Sequence, residues 1–154
     1  MITKITENLY IGDHDDVVNH NADELNQLLS CLQVTAIVNL METEDEREVA
    51  LIKEAMKKGA QVKYFWVPIG TGEQDFYLEF VQACKKLEEL LTKNETVLLH
   101  CLGGIDRAPF ITALYLSKKL CIPVQDAYLI VRKKRQIVEH YEWLAALRKR
   151  GFHF

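Results

Sequence analysis

Continuous apolar runs alternate along the chain with segments in which apolar residues recur every three or four positions. Continuous β-branched runs predict buried strands, and the three- to four-residue period predicts helices that bury one face. Strands, or in the first case a strand pair, are predicted at Ile5 to Ile11, Val34 to Leu40, Val62 to Val67 and Thr96 to His100. Helices are predicted at Asn21 to Ser30, Thr43 to Lys58, Asp75 to Leu91, Ala108 to Leu120, Val124 to Lys134 and Val138 to Arg150.

The residues that flank these helices indicate where several of them begin and end. Asn21 is placed to cap one helix, and Thr43-Glu44-Asp45-Glu46 has the form of a capping box before the next. Gly59 follows that second helix, in a position where glycine commonly ends one. Pro109 falls in the first turn of a later helix, where its missing N–H costs little. These signals agree with the periodicity.

The alternation of strands with helices predicts an α/β fold, with three layers (α/β/α) and a mostly parallel central sheet of about four to five strands. The chain has 154 residues, which is the length of one domain, so residues 1–154 are predicted to form a single domain. Ligands of such sheets bind beyond the carboxyl ends of the strands. The residues that follow Thr96 to His100 are therefore candidates for a site.

Charge and cysteine content exclude several classes of partner. The formal net charge is −3, so the chain as a whole is not expected to bind nucleic acid. The four cysteines are widely spaced and form no CxxC pair, which is typical of a reduced protein and not of a disulfide scaffold. No apolar stretch reaches membrane length, and no signal-peptide pattern opens the chain. We expect a cytoplasmic monomer without a membrane span.

The segment from His100 to Pro109 has the features of an anion-binding loop. Its sequence is His-Cys-Leu-Gly-Gly-Ile-Asp-Arg-Ala-Pro, and it lies between a predicted strand and a predicted helix. Amides at a helix N-terminus have no partner within the helix, and the helix dipole is positive there. The paired glycines let the backbone curl with its N–H groups inward. The residues predicted to bind phosphate are Leu102, Gly103, Gly104, Ile105, Asp106 and Arg107.

Two side chains in this loop supply the chemistry that phosphate esters need. Arg107 can hold two phosphate oxygens in a bidentate fork, which lysine cannot do. Cys101 lies in the same positive field, which favours its thiolate, the nucleophilic form. A buried structural cysteine in a plain strand-to-helix turn is the alternative interpretation. A nucleotide-binding loop of the Walker type fits less well, because no Gly-Lys-Ser/Thr follows the glycines.

His100, Cys101 and Arg107, with five residues between the last two, resemble the signature of the cysteine-dependent protein tyrosine phosphatases. The segments 5–12, 34–40, 65–68 and 131–135 are similar to parts of the dual-specificity branch of that family. The resemblance implies a protein tyrosine phosphatase-like fold. It also implies hydrolysis of phosphate monoesters in proteins, on tyrosine and also on serine or threonine, through a phosphocysteine on Cys101. His100 would orient the cysteine, and neither a metal nor a cofactor is required.

The proton donor is not settled by this resemblance. The family usually supplies an aspartate from the loop after the strand that ends near Pro68, where this chain holds Thr71. Asp75, Asp106 and Glu73 are the candidates, in that order. Asp75 and Asp106 are each also placed to cap the helix that follows. Some relatives that act on phosphoinositides are similar to this chain in having an aspartate just before the arginine.

Two other functions stay open at this point. Asp106 and the basic run Arg132-Lys133-Lys134-Arg135 are compatible with phosphoinositides or RNA 5′ ends as substrates. Ala108 stands where the family often has Ser or Thr, and together with the missing acid it is compatible with a catalytically weak, phosphate-binding pseudophosphatase. Glu139 lies near the place where some relatives position the hydrolytic water.

No metal site is predicted. No second cysteine or histidine stands at a metal-ligand spacing from His100 and Cys101. His14 and His20 flank acidic residues, and we interpret their segment as a solvated loop.

Overall fold

The central sheet of the computed structural model has five strands within the residues that the structure describes, 1–70 and 76–152. The strands are β1 (Thr3–Thr6), β2 (Leu9–Gly12), β3 (Ala36–Asn39), β4 (Lys63–Trp66) and β5 (Val97–His100). Their order in the sheet is β1-β2-β5-β3-β4. All neighbours are parallel except β1, which pairs antiparallel with β2 at one edge. The predicted mostly parallel sheet is confirmed, and the first predicted strand is a strand pair.

Each of the helices expected from the sequence has a counterpart. The helices are α1 (Asp15–Val18), α2 (Ala22–Leu32), α3 (Glu46–Lys57), α4 (Tyr77–Thr92), α5 (Arg107–Leu120), α6 (Val124–Arg132) and α7 (Tyr141–Lys149). The short α1 is an addition to the prediction, and α7 begins at Tyr141 instead of Val138. Across residues 1–70 and 76–152, every helix is too short or too polar to cross a lipid bilayer.

The predicted cap of α2 is present in the structure, whereas the predicted cap of α3 is not. The Asn21 side chain accepts from the Glu24 amide at 2.8 Å, and the Glu24 carboxylate accepts from the Asn21 amide at 2.9 Å, so the expected cap of α2 is confirmed. The capping box predicted at Thr43 is wrong, because Asp45 caps α3 and accepts from the amide of Arg47 at 2.8 Å. An ionised carboxylate is a strong acceptor at the positive end of a helix.

Successive residues of β5 pack into two different cores, one on each face of the sheet. Leu99 belongs to the core that contains apolar residues of α4, α5, α6 and α7. Leu98 belongs to the core that contains apolar residues of α2 and α3. Side chains alternate along a strand, so Cys101 continues the first face and His100 the second. The predicted three-layer arrangement is thus confirmed, and it places these two neighbouring residues on opposite sides of the sheet.

Candidate active site

The loop of residues 101–106 joins β5 to α5, at the edge where the parallel strands end. Its carbonyl groups are engaged by partners outside the loop. The His14 amide donates to the Leu102 carbonyl at 2.9 Å, and the Val138 amide donates to the Ile105 carbonyl at 3.0 Å. The loop is therefore held at both ends by backbone segments that are remote in sequence.

Arg135 holds the middle of the same loop. Its Nε donates to the Gly104 carbonyl at 2.7 Å, and its Nη2 donates to the Gly103 carbonyl at 3.3 Å. Its Nη1 donates to the Thr3 hydroxyl at 2.9 Å and to the Ile11 carbonyl at 3.4 Å. The arginine thus links the loop to β1 and β2. The basic run of residues 132–135 therefore contains a structural contact that its composition did not indicate.

The amides of residues 102–106 donate to no acceptor among the described residues. In a trans peptide the C=O and N–H groups point in opposite directions. Because the carbonyls are held by outside partners, the amides face the other way. They lie at the N-terminus of α5, where the helix dipole adds positive potential. Such an arrangement of unpaired donors binds an anion with several oxygens.

Gly104 is the glycine that the loop geometry requires. Its φ angle is +65°, a left-handed conformation that glycine adopts without strain. A Cβ atom at this position would lie 2.7 Å from the Gly12 carbonyl oxygen and would also overlap the Arg135 guanidinium. A Cβ atom at Gly103 would meet the Ile105 side chain at 3.6 Å, an ordinary contact. The sequence predicted a role for both glycines, and the geometry requires one of them.

Gly104→Ala is therefore expected to weaken binding of inorganic phosphate at least tenfold and to destabilise the fold by about 1–3 kcal/mol, the usual cost of a strained backbone. Gly103→Ala is the matched control, and we expect it to bind phosphate like the unmodified chain. Calorimetric titration with phosphate and urea unfolding measure the two effects. Equal losses in both variants would contradict this account of the loop.

Cys101 and Arg107 lie at the two ends of the loop. Cys101 is 2% exposed. Arg107 Nη1 donates to the Ile69 carbonyl at 2.9 Å and to the Leu40 carbonyl at 3.4 Å. These carbonyls follow β4 and β3, so the guanidinium is anchored over the carboxyl edge of the sheet. Its other nitrogens have no hydrogen-bond partner within the described residues.

Asp106 lies within the loop, and its side chain does not cap α5. Its Oδ1 is instead 2.6 Å from Nε2 of His140, whose ring stacks on Trp143 with centroids 3.6 Å apart. Burial lowers the pKa of His140, but hydrogen bonds with the Asp106 and Glu142 carboxylates outweigh it and raise that pKa above the ordinary value. The protonated form of His140 is therefore favoured beside Asp106. Sequence reasoning missed His140, because nothing in the spacing connects it to the loop.

This ion pair predicts that His140 stabilises the fold more in acid than in base. The pKa of His140 is raised in the folded state, so its contribution is full below about 6.5, the unfolded value, and is lost as pH rises through the raised pKa. His140→Gln is therefore expected to lower the free energy of unfolding more at pH 6 than at pH 9. Urea unfolding at the two pH values, with His20→Gln as control, measures this. A larger loss at pH 9 would contradict it.

The other two candidates for the proton donor, Asp75 and Glu73, lie outside the described residues, as does Thr71. Glu139 is described, and its carboxylate accepts from Arg132 at 2.9 Å and from the Tyr141 hydroxyl at 3.0 Å.

The His100 side chain is fully buried on the α3 side of the sheet. Its Nδ1 lies 3.3 Å from the Cys101 carbonyl oxygen, and its Nε2 lies 2.8 Å from Oε1 of Glu48. The other Glu48 oxygen accepts from the Asn39 side chain at 2.9 Å and from the Tyr64 hydroxyl at 3.1 Å. A buried polar layer therefore lies under the start of the loop. Glu48 was not singled out from the sequence, because acidic residues are ordinary in the first turn of a helix.

His14 is buried, so the interpretation of its segment as a solvated loop is wrong. The physical reason is that α1 (Asp15–Val18) forms there and packs against α3. His14 Nε2 lies 2.8 Å from an Asp45 carboxylate oxygen. One donor atom from each of His14, Glu48 and His100 lies within 4.8 Å of the others, which makes them a group that could hold a metal ion.

Comparison with known proteins agrees with this geometry. The family model described as "Dual specificity phosphatase, catalytic domain" matches residues 17–150. Dual specificity protein phosphatase 9 of Homo sapiens is 29% identical over 146 residues, which are 94% of this chain and 34% of that protein. Dual specificity protein phosphatase 6 of Homo sapiens is 34% identical over 93 residues, which are 59% of this chain and 24% of that protein. The chain thus spans about a third or less of these relatives' length.

The fold is shared with solved phosphatase structures. The crystal structure of the active form of Tk-PTP superposes with a TM-score of 0.69 at 22% identity, and the alignment covers 97% of both chains. The predicted protein tyrosine phosphatase-like fold is thereby confirmed. The family match covers most of the chain and includes the loop between β5 and α5. The chain belongs to the family of dual specificity phosphatase catalytic domains.

Proposed function

We propose that the chain hydrolyses phosphate monoesters in proteins, on tyrosine and also on serine or threonine, through a phosphocysteine on Cys101. The observation that supports this most is the loop of residues 101–106. Its carbonyls have partners, while the amides of residues 102–106 have none in the described part of the chain. These amides lie at the N-terminus of α5, between a thiol and the anchored guanidinium of Arg107. Family membership supports protein substrates, since the matched relatives are named protein phosphatases.

The proposed reaction has two steps. The Cys101 thiolate attacks phosphorus in line, an S–P bond forms, and the bond to the ester oxygen breaks as that oxygen takes a proton from an acid. Water then attacks the phosphocysteine, gives a proton to a base, and releases inorganic phosphate and the thiolate. The loop amides and Arg107 stabilise the charge on the non-bridging oxygens in both steps. Neither step needs a metal or a cofactor.

Asp75, Asp106 and Glu73 are our candidates for the acid and the base, with His100 as a supporting residue. Asp106 lies in the loop itself, with its Oδ1 2.6 Å from Nε2 of His140. We propose Asp106 as the base of the second step, and Asp75 or Glu73 as the acid of the first.

The same chemistry supports a proposal about the cellular location of the protein. A cysteine nucleophile works only while it is reduced, and all four cysteines are free. We propose a cytoplasmic location, a monomer, and one catalytic domain over residues 1–154.

The test is a comparison of kcat/KM on a phosphotyrosine peptide, a phosphothreonine peptide, a soluble phosphoinositide and a 5′-triphosphorylated RNA. We expect the two peptides to exceed the other substrates at least tenfold. A higher value on the phosphoinositide or the RNA would replace the proposed substrate class. Absence of turnover on all four substrates would make the chain a phosphate-binding member of its family.

A further inference from the structure

Three buried polar atoms converge beneath the loop, on the α3 side of the sheet. They are Nδ1 of His14, Oε1 of Glu48 and Nε2 of His100, and all lie within 4.8 Å of one another. Glu48 and His100 are fully buried, and the His14 side chain is 10% exposed. None of the three atoms has a hydrogen-bond partner among the described residues.

Every other polar atom of these three side chains is engaged. His14 Nε2 is 2.8 Å from the Asp45 carboxylate, and His100 Nδ1 is 3.3 Å from the Cys101 carbonyl oxygen. Glu48 Oε2 accepts hydrogen bonds from Asn39 and Tyr64 (2.9 and 3.1 Å). The three side chains are thus held from outside, with one atom of each directed to a common point.

The partners of the engaged atoms determine whether the converging atoms are hydrogen-bond donors or acceptors. A carboxylate and a carbonyl oxygen accept hydrogen bonds, so the His14 and His100 nitrogens that face them are donors. In a neutral imidazole the second nitrogen then has a lone pair and no hydrogen. With both imidazoles neutral, as metal ligands must be, the two converging nitrogens and Glu48 Oε1 are three acceptors. Glu48 Oε1 is 2.8 Å from His100 Nε2 and 3.6 Å from His14 Nδ1, and neither pair has hydrogen-bond geometry.

Acceptors that converge in a buried place need a positively charged or donating partner between them. One water molecule donates two hydrogen bonds, so it would leave one of the three acceptors unpaired. A divalent cation satisfies all three at once. The outer contacts have the form of a metal centre as well, because a ligating histidine commonly donates its other N–H to a carboxylate or to a backbone carbonyl.

We propose that His14, Glu48 and His100 bind one divalent transition-metal cation, of which zinc fits the donor set. Two histidines and a glutamate are a known zinc ligand combination, with ligand distances of about 2.0–2.2 Å. In tetrahedral geometry such ligand atoms are about 3.4 Å apart, so the pair at 2.8 Å opens by about 0.6 Å on binding. The ligands come from the start of α1, from α3 and from the end of β5, so the cation joins these three elements under the loop.

Direct metal binding tests this proposal without reference to activity. The full chain is stripped with a chelator, dialysed, and titrated with Zn²⁺ alone and with Co²⁺ alone. We expect one ion per chain, intense visible absorption bands of the Co²⁺ form, and a Tm that rises with bound metal. An unmodified chain that binds no stoichiometric metal overturns the proposal, whether or not any variant folds.

Variants locate the ion. His14→Gln and Glu48→Gln are expected to lose it, with circular dichroism to confirm that each is folded, and His20→Gln is the matched control that keeps it. Cys101→Ser is also expected to keep it. Loss of the ion in Cys101→Ser would show that the thiol is a metal ligand. Retention of the ion in folded Glu48→Gln would show that the ion is not held by the proposed ligands. Either outcome overturns the proposed site and leaves the proposed phosphatase function untouched.

Discussion

Cys101→Ser is expected to lower kcat by about four orders of magnitude or more, because the residue that forms the covalent intermediate is removed. A serine hydroxyl is of similar size but is not ionised near neutral pH. A thiol ionises far more readily than an aliphatic hydroxyl, and the thiolate is the nucleophilic form. The first step of the reaction therefore loses its nucleophile.

Phosphate binding in the same variant is expected to persist. The unpaired amides of residues 102–106 and the guanidinium of Arg107 do not depend on the sulfur. The measurements are kcat on p-nitrophenyl phosphate and calorimetric titration with inorganic phosphate. Cys31→Ser, which alters an exposed cysteine on α2, is the control and is expected to keep full activity.

Turnover by Cys101→Ser within tenfold of the unmodified chain would show that Cys101 is not the nucleophile. Mass spectrometry of the unmodified chain, quenched during turnover, adds an independent measurement. A phosphorylated peptide that contains Cys101 is expected there. Phosphate on a different residue would contradict the mechanism even if the serine variant were inactive.

The loop could be predicted from the sequence because its parts are contiguous. The end of a strand, a thiol, two glycines, an arginine and a helix start follow one another within ten residues, from His100 to Pro109. Local signals of this kind also predicted the order of strands and helices, since each depends on apolar periodicity within a short window. The predicted cap of α3 was wrong for a related reason, because two positions only two residues apart, Thr43 and Asp45, both offer a capping side chain.

The structures that support the loop could not be predicted in this way. Arg135 contacts Gly104 across 31 residues, and His140 contacts Asp106 across 34 residues. Both contacts depend on how the segment after α6 returns to the sheet edge, which no local pattern specifies.

The group of His14, Glu48 and His100 could not be predicted from local sequence patterns either. His14 precedes α1, Glu48 lies in the first turn of α3, and His100 is the last residue of β5, so the three residues have no metal-ligand spacing in the sequence. Parallel strands bring their carboxyl ends to one edge regardless of their separation in sequence. A fold of this class therefore assembles its sites from residues whose spacing is uninformative. The lack of metal-ligand spacing in a sequence therefore does not exclude a metal site in a fold of this class.

Arg107→Lys is expected to lower kcat/KM by about 10³-fold, the size of effect seen when a fixed cationic donor to a transferring phosphoryl group is lost. The reason is that the guanidinium of Arg107 has two roles, since it is anchored to the edge of the sheet and also binds phosphate. One nitrogen, Nη1, is committed to the carbonyls of Ile69 and Leu40, and the others remain for phosphate. A lysine has a single nitrogen, so it can keep the anchor or bind phosphate in the same place, but it cannot present a fork while anchored.

The matched control for Arg107→Lys is Arg148→Lys, at an exposed position on α7, and we expect it to be silent. Rates on p-nitrophenyl phosphate and the affinity for inorganic phosphate separate two effects. Loss of both kcat and phosphate affinity indicates that the fork binds ground state and transition state alike. Loss of kcat with phosphate affinity retained indicates that the fork acts mainly on the transition state. A loss of less than tenfold in kcat/KM would mean that the loop amides suffice, and that Arg107 serves chiefly to tie α5 to the ends of β3 and β4.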